Sequence, residues 1–302
     1  MSSPFGPLVL IAEPAVEDAL PTVERSLGEL GLAHRVVRAE GPGDGARWSR
    51  ASLLSGERFL VAVGGETLVH DVVNGMFEDG RPVAPDPVLG VVPAGTENEF
   101  FRQFGMPMDA ERVCRHLAGQ GVYPIDAGRV TCRDEGGEER SRYFVNVGEV
   151  GLGADMTARA VGLPFRLGRS RRLVAFWWAL VRAKRARVHV ETAKQTYDGR
   201  AYHVVVGNGR FGTGGFRVSP RSFPGDGVLE VLVHHGPKSQ AFTSLPKSHH
   251  GEQVPSPHIA ELRGNRVRVV TDPALRVAVD GLAIGRTPAV FEVLPRALRL
   301  KV

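Results

Sequence analysis

The sequence predicts a parallel α/β domain followed by an antiparallel β domain. Over the first ~125 residues short apolar runs alternate with helical patterns, the order in which a parallel sheet is built. After Tyr123 the texture changes to short β-type segments with turn residues between them. The 302 residues include 37 glycines and 21 prolines, a load that calls for many turns joining short elements. The change of composition falls near residues 124–126 without a linker, so the expected domains are 1–124 and 125–302.

Taken in order, Leu8–Ala12 is an apolar run read as a buried strand. Residues 15–30 read as a helix ended by Gly31, and His34–Arg38 as a second strand. Phe59–Val63 is a third buried strand. It runs into Gly64-Gly65 and then a helix with Leu68, Val72, Val73 and Met76 on one face. Val88–Val92 repeats the plan, passing through Pro93-Ala94-Gly95-Thr96 into a helix with Phe100, Phe101 and Phe104. In the second half, Tyr143–Val147, Val188–Glu191, Tyr202–Val206, Val228–Val233, Val267–Val270, Arg276–Val279 and Val290–Val293 read as strands. One helix is expected around 170–185.

Composition narrows the classes of function. A chain that is 42% hydrophobic and 24% charged can bury a core and is not a disordered tail. No apolar run is long enough to span a bilayer, and MSSPFGPLVLIAEP lacks the basic stretch of a signal peptide, so a cytoplasmic protein is expected. Two cysteines, Cys114 and Cys132, exclude a disulfide framework and a cysteine-based zinc site. The adjacent pairs His234-His235 and His249-His250 lack metal-ligand spacing and read as surface.

The net charge of +5 is modest, but between Asp155 and Glu191 there is no acidic residue and there are nine Lys or Arg. Such a stretch suits an anionic partner. Leu173, Phe176, Trp177, Leu180 and Val181 follow helical spacing, with Trp178 beside them and Arg171, Arg172, Lys184 and Arg185 flanking. That is what contact with an anionic membrane face needs; the other reading is a helix packed on the β domain with solvated arginines. Nucleic acid is not expected, because no helix-turn-helix, RNA-recognition or zinc signature accompanies the charge.

Two loops leave the carboxyl ends of adjacent predicted parallel strands, Gly64-Gly65-Glu66-Thr67 and Gly95-Thr96-Glu97-Asn98-Glu99. Ligands bind at that edge of an open α/β sheet. Glycines let the backbone approach a phosphate, a following helix aims free N–H groups at it, and carboxylates suit Mg²⁺ bridging polyphosphate oxygens. The same residues could also be plain strand–helix turns capped by Thr67 and Thr96.

Five stretches occur in an order that carries a family likeness: VAVGGETLVHDVVNGMF, LGVVPAGTENEFFRQFGMP, YFVNVGEVGLGADM, VVVGNGRFGTGGFRVSPRSFPGDGVLEVLV and VAVDGLAIGRTPAVFEVLPRALRLKV. Over nearly its whole length the chain resembles the bacterial diacylglycerol kinase and sphingosine kinase-like lipid kinases. The resemblance implies an N-terminal nucleotide domain related to NAD kinase and a C-terminal β-sandwich, with the last dozen residues returning to the first domain. It implies transfer of the γ-phosphoryl group of ATP, with Mg²⁺, to a lipid hydroxyl such as that of diacylglycerol at the inner face of the membrane. It places nucleotide contacts at Gly64, Gly65, Glu66, Thr67, Gly95, Thr96, Asn98 and Glu99, a structural metal at Phe223, Asp226 and Val228, and the proton acceptor on the late Asp-Gly-Glu hairpin. Assembly is left open, with a homodimer among the options.

The chain departs from the family pattern at its chemical end. Gly-Gly-Asp-Gly-Thr reads Gly64-Gly65-Glu66-Thr67-Leu68, and if the third glycine needs a positive φ the change costs about 1–2 kcal/mol. Gly-Thr-Gly-Asn-Asp reads Gly95-Thr96-Glu97-Asn98-Glu99, and Asn-Pro-x-Ser-Gly reads Glu13-Pro14-Ala15-Val16-Glu17, whose carboxylates would repel ATP. Asp-Gly-Glu reads Asp280-Gly281-Leu282, which leaves Asp280 as the available base, or a simple hairpin turn. Removing Asp280 is expected to abolish transfer and spare stability. The alternatives are a catalytically silent member that binds a lipid or other ligand, and a kinase of a non-lipid hydroxyl.

Overall fold

The computed structural model describes residues 3–93, 101, 103–163, 170–212, 217–239 and 256–302. They fall into two compact units, residues 1–127 with 294–302, and residues 128–293.

Unit 1 starts as the apolar runs dictate. Strand β1 (Leu8–Ala12) is wholly buried, helix α1 spans Leu20–Glu29, and β2 covers His34–Arg38. Helix α2 (Asp44–Leu54) follows, then β3 (Phe59–Gly64) and helix α3 (Glu66–Met76). A two-residue ribbon pairs β4 (Phe77–Glu78) with β5 (Arg81–Pro82). After β6 (Val88–Pro93), helix α4 occupies Ala110–Ala118 with Asp109 as its N-cap, accepting from the amide of Arg112. The sheet runs β6-β3-β1-β2, every pair parallel. Fully buried β1, β3 and β6 explain why their sequences are unbroken apolar runs without alternation.

Helix α1 begins at Leu20, not at residue 15. Pro14–Val16 is a single 3₁₀ turn, and Pro21 sits at the helix start, where its missing N–H costs nothing. Helix α2 follows a Gly-Pro-Gly segment and shows little apolar pattern, because it packs through Gly45, Ser49 and Ser52. Ser49 donates its hydroxyl to the Val72 carbonyl of α3 at 2.8 Å.

The strands described in unit 2 form antiparallel ladders. Its strands are β7 (Val122–Arg133, from residue 128 on), β8 (Glu139–Phe144) and β9 (Val147–Gly151). Helices α5 (Leu152–Val161) and α6 (Ser170–Arg182) come next. The remaining strands are β10 (Ala186–Thr192), β11 (Thr196–Ala201), β12 (His203–Gly207), β13 (Leu229–His234), β14 (Ile259–Gly264), β15 (Arg266–Asp272), β16 (Arg276–Val279) and β17 (Leu282–Lys301). One layer runs β14-β13-β12-β9-β16-β17, the other β11-β10-β15-β17, and β7 pairs with β8 and β17. Valines from both layers, with Phe144 and Phe291 meeting edge to face at 6.1 Å, fill the space between them. This is the β-sandwich.

Strand β17 belongs to unit 2 up to Val293 and to unit 1 from Leu294 on. Arg299 and Leu300 pair in parallel with Val88 and Leu89 of β6, adding a fifth strand to the first sheet. Two polar anchors hold this end. Asp126 accepts the amide of Arg296 at 2.7 Å, and the buried Lys301 donates its ammonium to the Gly121 carbonyl at 2.8 Å. Burial holds the Lys301 ammonium below its usual range.

Helices α2 and α3 touch through glycine. A β-carbon at Gly75 would lie 2.1 Å from the Ala46 carbonyl oxygen, a backbone atom that cannot swing away. Alanine would gain about 1 kcal/mol of helix propensity, but overpacking against rigid backbone exceeds that gain. Gly75→Ala is therefore expected to destabilise the protein by a net ~2 kcal/mol, measured as a lower urea midpoint at unchanged slope.

Candidate functional site

Gly64 closes β3 with its backbone pressed between two side chains. A β-carbon there would lie 2.7 Å from Glu13 Oε1 and 2.9 Å from Leu68 Cδ2, so a larger residue would push both side chains aside. Helix α3 opens with Gly65 as its N-cap and no side-chain cap of its own. The Gly65 amide donates instead to Glu13 Oε1 at 2.8 Å. Register delivers that carboxylate, since Ala12 pairs with Val63 and Glu13 leaves β1 beside Gly64. The first amides of a helix favour an anion, and in this chain a side-chain anion already satisfies one of them.

The other residues of this turn settle into the helix. Glu66 is half-buried and Thr67 exposed in the first turn of α3, and Leu68 is buried beneath them. Thr67 is absent from the residues with positive φ, so the strain expected from losing the third glycine does not arise. Leu68 faces the core, where it meets Gly45 as well as Gly64. Gly95, Thr96, Asn98 and Glu99 lie outside the described residues.

Asp280 and Gly281 form a two-residue hairpin turn. Val279 pairs with Leu282, and the φ angles of 44° and 78° are both positive, as a type I′ turn requires. The Asp280 carboxylate also reaches the strand beside it. Oδ2 accepts the amide of Val145 at 2.9 Å, and Oδ1 accepts those of Asn146 and Val147 at 3.0 Å each. The Asp280 amide donates to the Val147 carbonyl. Asn208 adds a bond from its side-chain amide to the Val145 carbonyl at 2.7 Å. The expectation that Asp280 can be removed without loss of stability is thus corrected, because three amides depend on it.

The segment Phe223–Val228 is held by its own hydrogen bonds and by Arg263. Asp226 Oδ1 accepts the amide of Val228 at 3.1 Å, and Oδ2 faces the Arg263 guanidinium at 3.3 Å. The Phe223 carbonyl accepts the amides of Gly225 and Asp226. Arg263 also grips the buried Glu230 through Nε at 2.7 Å. Burial pushes the Glu230 carboxyl up, and Arg263 pulls it part of the way back. Asp226 and the Phe223 carbonyl thus carry hydrogen bonds of their own, and a positive charge stands beside the carboxylate. Among the described residues no group of three or more His, Cys, Asp or Glu is placed to hold a metal ion.

Helix α6 divides the apolar stripe expected on it. Ala175, Ala179 and Leu180 are buried with Leu152, Met156 and Ala160 of α5. Phe176 and Trp177 are half-buried against that cluster, ring centroids 5.2 Å apart, so Trp177 does not face outward as expected. Leu173, Val174, Trp178 and Val181 are the exposed residues, with Val181 77% and Val161 of α5 72% accessible. Arg159 and Arg182 lie over the Trp178 ring at 4.7 and 4.6 Å. Lys184 is exposed, Arg171 and Arg172 are half-buried, and Arg185 is tied to the Gly236 carbonyl at 2.7 Å.

Three further groups complete the picture. Cys114 and Cys132 are buried thiols pushed up to about 11 chiefly by desolvation, so neither serves as a nucleophile. His234 is half-buried at the end of β13. It stacks on His203 at 5.2 Å, and burial with the neighbouring His203 and His235 drives its pKa down to about 3. His203 lies 3.4 Å from Glu149, both buried, a pairing that cross-strand register creates and no sequence motif announces. His249 and His250 lie outside the described residues.

Residues 12–130 match the diacylglycerol kinase catalytic domain, and residues 147–302 match the YegS C-terminal NAD kinase beta sandwich-like domain. The chain belongs to the diacylglycerol kinase and YegS-like lipid kinase family. A diacylglycerol kinase of Bacillus subtilis (strain 168) is 25% identical over 272 residues, 85% of this chain and 82% of that protein. The crystal structure of a diacylglycerol kinase from Bacillus anthracis superposes with a TM-score of 0.74 at 19% identity, over 99% of this chain and 97% of that one. An NAD kinase from Archaeoglobus fulgidus in complex with ATP shares the fold at a TM-score of 0.52 and 12% identity, over 98% and 93%. Within this lipid kinase family, the Gly64-Gly65 turn lies inside the catalytic-domain match and the Asp280 hairpin inside the C-terminal one.

Asp280→Ala is expected to lower stability by about 2–4 kcal/mol, because buried amides lose their acceptor. A chemical denaturation curve reads it, and an unchanged midpoint would show that the three amides find other partners.

Proposed function

We propose that this chain transfers the γ-phosphoryl group of ATP to the hydroxyl of a lipid such as diacylglycerol, working on an anionic membrane surface. The observation that carries the reading is the turn at Gly64-Gly65, a glycine pair at the carboxyl end of a buried parallel strand that opens into a helix, inside the catalytic-domain match. Phosphoryl transfer is catalysed mainly by positioning and charge neutralisation, so it tolerates more drift than chemistry that needs a dedicated nucleophile. Mg²⁺, when bound with ATP, supplies that neutralisation. Glu66, in the first turn of α3, and Glu13, beside it, are the carboxylates of this turn available to it.

The chain's own groups set the terms of binding. For a phosphate oxygen to take the Gly65 amide, the Glu13 carboxylate must give it up. Glu13 then either swings away or turns to the metal. Nucleotide binding is therefore weak and strongly Mg²⁺-dependent. Leu282 stands where the family carries the glutamate of Asp-Gly-Glu, and Asp280 is committed to backbone amides. General base catalysis is typically worth ~10²–10⁴ in rate, so turnover is slow. The commitment of Asp280 is also the observation that favours the second reading, a silent member that keeps the scaffold and binds lipid.

Glu13→Gln removes the negative charge at the Gly65 amide and keeps the side-chain length. It is expected to tighten Mg²⁺-ATP binding by about tenfold, the effect of relieving one close like-charge contact near a protein surface. Calorimetry on the wild type and the variant decides. Absence of binding in both folded proteins would make the silent member the better reading.

The outward face of α5 and α6 supports the membrane part. Val161, Leu173, Val174, Trp178 and Val181 are exposed, and the arginines stacked on Trp178 belong to a stretch without acidic residues. Aromatic and aliphatic side chains ringed by arginine are what an anionic interface accepts. No helix among the described residues is long and apolar enough to cross a membrane. Trp178→Ser with Val181→Ser is expected to weaken co-sedimentation with phosphatidylglycerol vesicles by at least about tenfold. Equal sedimentation of the variant would move the contact elsewhere.

A further inference from the structure

We propose that Arg263 takes the place of a bound cation at the Phe223–Val228 loop, so that this loop is held by an internal ion pair and its stability does not depend on a divalent metal. The family likeness implies a metal at this loop, and the residues present do not fit one. Arg263 stands directly opposite Glu230 in the β13–β14 ladder, so strand register aims its guanidinium at this spot. One nitrogen holds the buried Glu230 at 2.7 Å and another holds Asp226 at 3.3 Å. The Arg263 amide is itself fixed to Gln195 Oε1 at 3.0 Å. A divalent ion approaching Asp226 would meet a positive charge already in contact with the carboxylate. Displacing that charge would also strip the buried Glu230 of its partner, which is strongly unfavourable.

The proposal does not rest on the kinase reading, and its test needs no nucleotide or lipid.

Thermal midpoints are measured for wild type, Asp226→Asn, Arg263→Gln and the double variant, each with EDTA and with millimolar Mg²⁺ or Ca²⁺. Wild type and Asp226→Asn are expected to respond alike to the metals and to EDTA. Arg263→Gln is expected to melt about 5–10 °C lower, because the buried Glu230 loses its partner, and Mg²⁺ or Ca²⁺ is not expected to restore the midpoint. A wild-type midpoint that falls with EDTA and rises with Mg²⁺, through a response that Asp226→Asn abolishes, would overturn the proposal. So would an Arg263→Gln variant that melts with the wild type. If Arg263→Gln does not fold, the comparison of wild type with Asp226→Asn, together with metal analysis of the dialysed wild type, still decides.

Discussion

A polar group withdrawn from water must find a partner of opposite character, and in this protein carboxylates supply partners for main-chain amides far away in sequence. Glu13 serves Gly65, Asp126 serves Arg296, and Asp280 serves Val145, Asn146 and Val147. The bonds of Glu13 and Asp280 fix a strand end and a turn that local hydrogen bonding leaves unfinished, and that of Asp126 ties the interior of β7 to the returning β17. The sandwich strands supply the bulk of the stability through apolar burial, but these few bonds set where strands begin and what the turns between them offer to a ligand.

The same rule explains what became of two sites expected from the family likeness. At the β3–α3 turn an internal anion occupies an amide suited to phosphate. At the Phe223–Val228 loop an internal cation occupies a carboxylate suited to metal. At both places a side-chain charge holds the backbone in this chain. A fold match speaks to the shape of such places before it speaks to their ligands.

The parallel strands were legible because burial on both faces leaves unbroken apolar runs, as in Leu8–Ala12, Phe59–Gly64 and Val88–Pro93. Helices α2 and α5 were not, because they pack through small residues such as Gly45, Ser49 and Ala154, which leave no apolar stripe. The single strand Leu282–Lys301 was visible only in part, since Gly285, Pro288 and Pro295 read as breaks while tertiary pairing carries the strand through them. At the candidate site, Gly64 and Gly65 were legible from their place after a strand. Glu13 was seen as a repulsive charge, but its bond to Gly65 depends on which strands are neighbours. The same holds for Arg263, whose role comes from its register with Glu230. Trp177 and Trp178 are adjacent in sequence, and only packing tells which of them meets solvent.

The fifth strand of the first sheet has a meaning for how the chain comes into being. Residues 1–127 are made before unit 2, yet Arg299 and Leu300, which pair with the edge of β6, are made only after it. Until then β6 presents an open edge with a full set of apolar side chains, the kind of surface that pairs with other chains. The first sheet is thus begun before unit 2 and completed only after it, and during translation its safety from aggregation depends on how fast the sandwich and the returning strand follow.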